Sequence, residues 1–167
     1  MTALHIDSLI EDMTRETRVL IERRGLRNPG MIGIHTGGLW VAQRLHSALG
    51  LTRPLGALDI SFYRDDFTRV GLHPQVKPSH LPFSVDDRHI LLVDDVLHTG
   101  RTVRAALNEI FDYGRPATVT LLVLVERSGR ELPIEAAVAG QRMDLAAHEH
   151  VKLSGPDPLT LSVLKSP

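Results

Sequence analysis

Two adjacent carboxylates, Asp94 and Asp95, close an aliphatic run in the stretch HILLVDDVLHTGRTV, residues 89–103, and a loop of small donors follows at once. A carboxylate pair of this kind suits the vicinal hydroxyls of a ribose, or a Mg²⁺ ion shared with them. Taken alone, the pair could equally be solvated or cap a helix. The sequel changes that balance. Beyond Val96 and Leu97, the segment His98, Thr99, Gly100, Arg101, Thr102 offers two hydroxyls, backbone N–H groups of small residues and the start of a helix. Together these make an anion site suited to phosphate. A phosphorylated ribose needs both features close together, and Asp94 to Thr102 supply them within one short stretch.

The remaining composition narrows the class. The chain has 167 residues, 43% of them hydrophobic, enough for one substantial core and, as the default, one domain over residues 1–167. Without any Cys it can form neither a disulfide framework nor a thiolate metal site. The first residues, MTALHIDSLIEDMTRE, contain neither a signal-peptide apolar core nor a membrane-spanning run, so a soluble cytoplasmic protein is the simplest expectation. A net charge of −1 neither favours nor excludes a polyanionic partner, because a local basic face can hide inside a neutral total.

Elements that could position the acid pair are legible as periodicity. Ile6, Leu9, Ile10, Met13, Thr17, Leu20 and Ile21 follow helical spacing, which predicts an amphipathic helix over residues 7–24. MIGIH (31–35) reads as a short buried strand, and Leu39 to Leu49 as a helix ended by Gly50. ALDISFYR (57–64) reads as a second strand, HILLVD (89–94) as a third and ATVTLLVLV (117–125) as a fourth. Gly100 to Tyr113 is a helix, with Gly114 and Pro116 just beyond it. Residues 65–88 carry three prolines and no clear period, so they form a long loop of the kind that serves as a lid. EAAVAG (135–140) and HVKLS (150–154) are weaker strand candidates. Helices alternating with continuous aliphatic strands predict an α/β fold, a mostly parallel sheet with helices on both faces. Such sheets bind ligands at the carboxyl ends of their strands, where Asp94 and Asp95 fall.

The stretch ILLVDDVLHTGRT (90–102) resembles the phosphoribosyl pyrophosphate (PRPP) motif of type I phosphoribosyltransferases: a hydrophobic strand, two acids, then a T-G-x-T loop. GIHTGGLWVAQRL (33–45), LDISFYRDDFT (58–68) and GRPATVTLLVLVERSGRELPIEA (114–136) resemble segments of one branch, the PyrR family. The similarity runs from about residue 13 to 140. It implies the type I fold with a small hood in the C-terminal part. It also implies a regulator of pyrimidine genes that transfers phosphoribosyl from PRPP to uracil, giving UMP and pyrophosphate with Mg²⁺.

By the same resemblance, Thr99, Gly100, Arg101 and Thr102 hold the 5′-phosphate, while Asp94 and Asp95 hold the ribose hydroxyls directly or through Mg²⁺. No residue stands out as an obligatory general base; Asp95 or solvent could serve. The HTGG loop, with His35, Thr36, Gly37 and Gly38, matches the family's pyrophosphate loop, which binds through its backbone and often carries a strained peptide. The family pattern there is T-R-G; Gly37 keeps the backbone donors and lacks that cation. Arg64 is a further pyrophosphate candidate, and either His73 or Lys77 supplies the cation of the active-site loop. Arg127, in ERSGRELP, falls where the family approaches the nucleotide, whereas Arg130 is structural. Family members cover uracil with a segment near G-K-N-I-P-T-S; here GQRMDLAAHEHVKL (140–153) departs from it, and Val151 is the residue expected against the base.

Many members of the family bind a leader-RNA hairpin through a basic face of a dimer. MTRETRVLIERRGLR (13–27) aligns with the helix that contributes to that face, and Thr14, Arg15, Arg18, Arg23, Arg24 and Arg27 are its available contacts. Glu11, Glu16 and Glu22 interleave with them, as on an ordinary solvated helix face. A homodimer or higher homo-oligomer is expected. Two alternatives stay open on sequence: a nucleotide-sensing RNA-binding regulator with little or no transferase activity, and a phosphoribosyltransferase for another base.

Overall fold

The computed structural model describes residues 2–60 and 79–167. Its frame is a five-stranded, all-parallel sheet built from β2 (Gly30–Ile34), β3 (Gly56–Leu58), β4 (His89–Leu97), β5 (Thr118–Arg127) and β6 (Val138–Met143), in the order β3-β2-β4-β5-β6. The central strand is aliphatic because both its faces are covered. Leu91 and Val93 pack on one side with α1 (Ile6–Arg24) and α2 (Gly37–Leu49). Ile90 and Leu92 pack on the other with Val103, Ala106 and Ile110 of α3 (Arg101–Tyr113). Each such buried aliphatic side chain contributes about 1.5–3 kcal/mol relative to leaving it in water. Helices therefore lie on both faces, as the alternating pattern predicts.

Along α1 the buried positions are Ile6, Ile10, Met13, Thr17 and Leu20, at the three- and four-residue steps that keep one face toward the sheet. Gly25 ends the helix with φ 63°, a left-handed conformation that residues with a Cβ adopt at a cost. No helix of the described residues is long and apolar enough to cross a membrane.

A second, antiparallel sheet joins the two ends of the chain. β1 (Thr2–Leu4) pairs with β8 (Thr160–Lys165), which pairs with β7 (Glu149–Ser154). Leu159 and Leu161 anchor it in the α1–α2 side of the core. The hood expected of the C-terminal part is thus built from both termini. Neither β1 nor β8 is predicted from periodicity, because each is short and takes its stability from the long-range pairing.

Three boundaries differ from the sequence reading. β4 does not stop at the acids: it runs on to Leu97, because β5 is long enough to pair with Asp94, Val96 and Leu97. The strand expected over 135–140 lies at 138–143, since Glu135 and Ala137 are exposed and precede the pairing. Of the strand expected at 57–64, Gly56–Leu58 pairs with β2, and its remainder beyond Ile60 lies outside the described residues.

Candidate functional site

The strand order reverses between β2 and β4. From β2 the chain passes through α2 to the edge strand β3, then returns to β4 on the other side of β2 and continues outward through β5 and β6. Open α/β sheets take ligands at such a reversal, outside the carboxyl ends of the strands. Gly33 pairs with Val93, so the loop after β2 and the acid pair of β4 start side by side.

The acids are fixed by the backbone that follows them. Asp94, 5% exposed, accepts the Asp95 N–H on Oδ1 at 2.9 Å. Asp95, half-buried, accepts the Val96 N–H on Oδ1 at 2.8 Å. These bonds hold both carboxylates before any ligand arrives. Two adjacent hard oxygen donors suit Mg²⁺, which commonly takes one or two carboxylates and completes its shell with water and substrate phosphates.

The loop after β2 is pressed against this pair. The His35–Thr36 peptide is cis, and the His35 N–H donates to Leu58 O at 2.9 Å. A Cβ on Gly38 would stand 2.7 Å from Val93 O and 3.0 Å from Asp94 Cα, so only glycine lets α2 begin this close to β4. Gly37 faces the Asp95 carboxylate in the same way. Thr36 is exposed at the N-cap, and the first turn of α2 carries no acid to neutralise its positive end.

Beyond β4 the chain makes the second anion loop. Val96, Leu97, His98, Thr99, Gly100, Thr102 and Val103 line a concavity of about 160 Å³. Gly100, φ 95°, turns the chain into α3. Thr99 Oγ1 accepts the Arg101 N–H at 3.2 Å, and Thr99 O accepts the N–H groups of Glu131 and Leu132 at 2.9 and 3.1 Å. Arg101 directs its side chain at Glu131, 3.6 Å away across the surface, so what it contributes to the loop is its backbone. No acid sits in the first turn of α3 either. Partial burial, then the charge of Arg127, lowers the His98 pKa from its usual value, which favours the neutral ring.

Arg127, the residue expected near the nucleotide, is held by backbone carbonyls. It is 5% exposed, and its Nη1 donates to Glu149 O at 2.7 Å, with Nη2 to Ala146 O at 3.4 Å and Nε to Ser128 O at 3.3 Å. The hydroxyl of Ser128 donates to Leu145 O at 3.2 Å and accepts the Leu145 N–H at 3.0 Å. Arg127 and Ser128 thus fasten the β6–β7 connection, the start of the hood, to the carboxyl end of β5. Ser128 and the carbonyls it organises have no sequence signal, because a lone Ser and backbone oxygens carry no motif. Val151 stands in β7, paired with Val163 and packed on the core cluster. Arg130 pairs with Glu126 at 3.0 Å. Arg64, His73 and Lys77 lie outside the described residues.

On α1, Thr14, Arg15 and Arg18 line one groove against Ala48 of α2, and Arg23 is exposed in the last turn. Arg15 pairs with Asp12, and Arg18 donates to Ala48 O. A larger groove of about 660 Å³ opens nearby between Asp7, Trp40, Arg44 and Pro156. Its lining does not include Asp94 or Asp95.

Comparison with known proteins agrees with this geometry. The family model described as phosphoribosyl transferase domain matches residues 7–152. The chain is 62% identical to the Bifunctional protein PyrR of Nitrosococcus oceani, over 96% of this chain and 92% of that one. It is 59% identical to the protein of the same name from Pseudomonas paraeruginosa, over 92% and 90%. The chain belongs to the PyrR family of phosphoribosyltransferases. Among solved structures, the hypoxanthine phosphoribosyltransferase of Trypanosoma cruzi superposes with a TM-score of 0.67 at 18% identity, over 97% of this chain and 94% of that one, a likeness of fold. A purine phosphoribosyltransferase from Pyrococcus horikoshii gives 0.61 at 25% identity, over 82% of each chain.

Proposed function

We propose that this chain transfers the phosphoribosyl group of PRPP to uracil, giving UMP and pyrophosphate, and acts as a regulator of pyrimidine genes. The observation that carries the reading is one acid pair with the glycine loop after β2 pressed against it and a second loop of small donors just beyond it at the end of β4. Residues 36–38 and 99–102 flank Asp94 and Asp95, matching a sugar that bears a pyrophosphate at one end and a phosphate at the other.

Each residue has a share in that reaction. The backbone of Thr99, Gly100, Arg101 and Thr102, with two hydroxyls and the positive end of α3, holds the 5′-phosphate. Asp94 and Asp95 hold the ribose hydroxyls, and the same oxygens would hold a Mg²⁺ shared with PRPP. That ion supplies charge neutralisation for the departing pyrophosphate. Thr36, Gly37 and Gly38 cradle the pyrophosphate through backbone donors at the start of α2. The C1′–oxygen bond breaks, a ring nitrogen of uracil bonds to C1′, and the nitrogen's proton leaves to solvent or to Asp95. Positive charge grows on the ribose in the transition state, and fixed carboxylates beside it stabilise that charge without reorganising. Catalysis here is mainly positioning and electrostatics.

The base is covered by the segment after β6, which Arg127 and Ser128 position from beneath. A homodimer or higher oligomer presenting α1, with Thr14, Arg15, Arg18 and Arg23, is the form in which a pyrimidine-operon leader RNA would bind. One assay tests the central claim: UMP formation from uracil, PRPP and Mg²⁺, with orotate and hypoxanthine as controls. UMP formed from uracil alone supports the reading; product from a purine but not from uracil overturns it.

A further inference from the structure

Gly37 opens α2, yet its backbone does not call for glycine: the positive-φ glycines of the described residues are Gly25, Gly50, Gly100 and Gly129. What glycine offers at this position is space. A Cβ on Gly37 would overlap Asp95 Oδ2 and stand 2.8 Å from Asp95 Cγ and 3.2 Å from Asp95 Cβ. The carboxylate lies directly over the Gly37 Cα, in the volume where a side chain would begin.

Asp95 has little freedom to yield. Its Oδ1 accepts the Val96 N–H at 2.8 Å, and its neighbours Asp94 and Val96 are both paired to β5. Turning the side chain away from residue 37 breaks the Val96 bond, and moving its backbone breaks the ladder. We propose that Gly37 is a positioning residue for Asp95: the missing side chain leaves the carboxylate seated over the pyrophosphate loop, joining the ribose and pyrophosphate subsites through one oxygen. This rests on the reading of the site as a PRPP site, and it adds a role for residue 37 beyond its own backbone donor.

Gly38 provides an internal contrast. Its Cβ would meet Val93 O, the Asp94 Cα and Asp94 Oδ1, none of them an atom of the Asp95 side chain. Of the two conflicts only the one at Gly37 is with Asp95, and only that one can be relieved by trimming Asp95.

A mutant cycle tests the coupling with two independent readouts. The proteins are the full chain, Gly37→Ala, Asp95→Ala, the double variant, and Gly38→Ala alone and with Asp95→Ala. Thermal unfolding needs no ligand. Gly37→Ala should lower the melting temperature in the parent and lower it far less in the Asp95→Ala background, whereas the Gly38→Ala loss should be the same in both. Titration calorimetry with PRPP and Mg²⁺ should show Gly37→Ala binding about tenfold more weakly, the scale of one lost charge-assisted contact. The KM for PRPP should rise with it while the KM for uracil stays put. Equal melting losses for Gly37→Ala in both backgrounds overturn the proposal, as does parent-like PRPP affinity. A parent that binds no PRPP instead overturns the reading of the site, and the melting cycle still decides the coupling.

Discussion

The hydroxyl of Ser79 donates to Glu109 Oε1 at 2.6 Å and accepts the Asp59 N–H at 2.9 Å. One hydroxyl thereby ties α3 to the end of the β3 segment. Glu109 is 8% exposed and its Oε2 is buried without a hydrogen-bond partner. Burial raises its pKa above the usual carboxylate range; the Ser79 bond opposes that, and the Asp59 and Asp112 charges add to it. The unfolded chain therefore loses this proton at lower pH than the folded one does. Above the unfolded pKa the folded state binds more protons, so this group lowers stability as pH rises, until the folded pKa is passed. Glu109→Gln keeps the shape and the carbonyl acceptor but removes the titration. Its melting temperature relative to the parent should improve as pH rises above the ordinary carboxylate range and level off once the raised pKa is passed, and a pH-independent difference would sink this account.

Asp94→Asn combined with Asp95→Asn should abolish most PRPP affinity while leaving far-UV circular dichroism unchanged. The carboxylates accept from the backbone of β4, and an amide oxygen can take the same bonds. What is lost is the charge facing the ribose and the ion. Each charge-assisted contact is worth roughly 1.5–3 kcal/mol, so the double change predicts at least a hundredfold weaker titration with PRPP and Mg²⁺. Unchanged affinity would remove the acid pair from the site.

The family's Arg cannot simply be restored at residue 37. On sequence, Gly37→Arg returns a cation to the pyrophosphate loop and should tighten it. The structure sets against this the Asp95 carboxylate, which stands where the new Cβ must go. The expected outcome is a raised KM for PRPP with pyrophosphate inhibition retained, measured by steady-state kinetics. A KM below that of the parent would show that the gained charge outweighs the displaced carboxylate.

Arg127→Ala should loosen the hood and leave the anion loops in place. It removes donors from the carbonyls of Glu149 and Ala146 in a 5% exposed position. A hydrogen bond from a charged donor is worth about 1.5–3 kcal/mol, and losing those that fasten the β6–β7 connection predicts a clear drop in melting temperature. The kinetic mark is a KM for uracil that rises more than the KM for PRPP. Arg127→Lys, which reaches one carbonyl at best, should fall between; a variant whose two KM values rise together would place Arg127 at the nucleotide itself.

What the sequence revealed follows from the range of the interactions involved. The 3.6-residue period of α1 and the aliphatic runs of β4 and β5 are local patterns, and they yielded the helix nearly residue for residue and both strands up to their polar carboxyl ends. The phosphate loop was legible because its parts, Asp94 to Thr102, are contiguous. The hood was expected of the C-terminal part, but its strands β1 and β8 were not legible, since they pair across almost the entire chain. Nor was the work of Arg127, whose partners are backbone oxygens some twenty residues away. The crowding of Gly37 and Gly38 on the acid pair is likewise a distance between β2 and β4 that no spacing along the chain encodes.

The last prediction concerns the basic helix. Thr14, Arg15 and Arg18 share one groove, and both guanidinium groups are exposed. Each is already engaged, Arg15 with Asp12 and Arg18 with the Ala48 carbonyl. An exposed pair of this kind adds little to folding, typically less than about 1 kcal/mol, so exchanging it for a phosphate is an easy step. If α1 takes a pyrimidine-gene leader RNA, Arg15→Ala with Arg18→Ala should weaken the complex and flatten its salt dependence. Each lost phosphate contact lowers the log–log slope by about 0.7–0.9. UMP formation should survive, because this face lies on the α1–α2 side, away from Asp94 to Thr102. Asp12→Ala separates charge from pairing: it frees Arg15 and should tighten the RNA at low salt. Gel shifts across a salt series with the organism's own leader measure all three proteins. Equal slopes for parent and double variant would remove these arginines from the interface, and a parent that shifts no leader would leave α1 a solvated helix face.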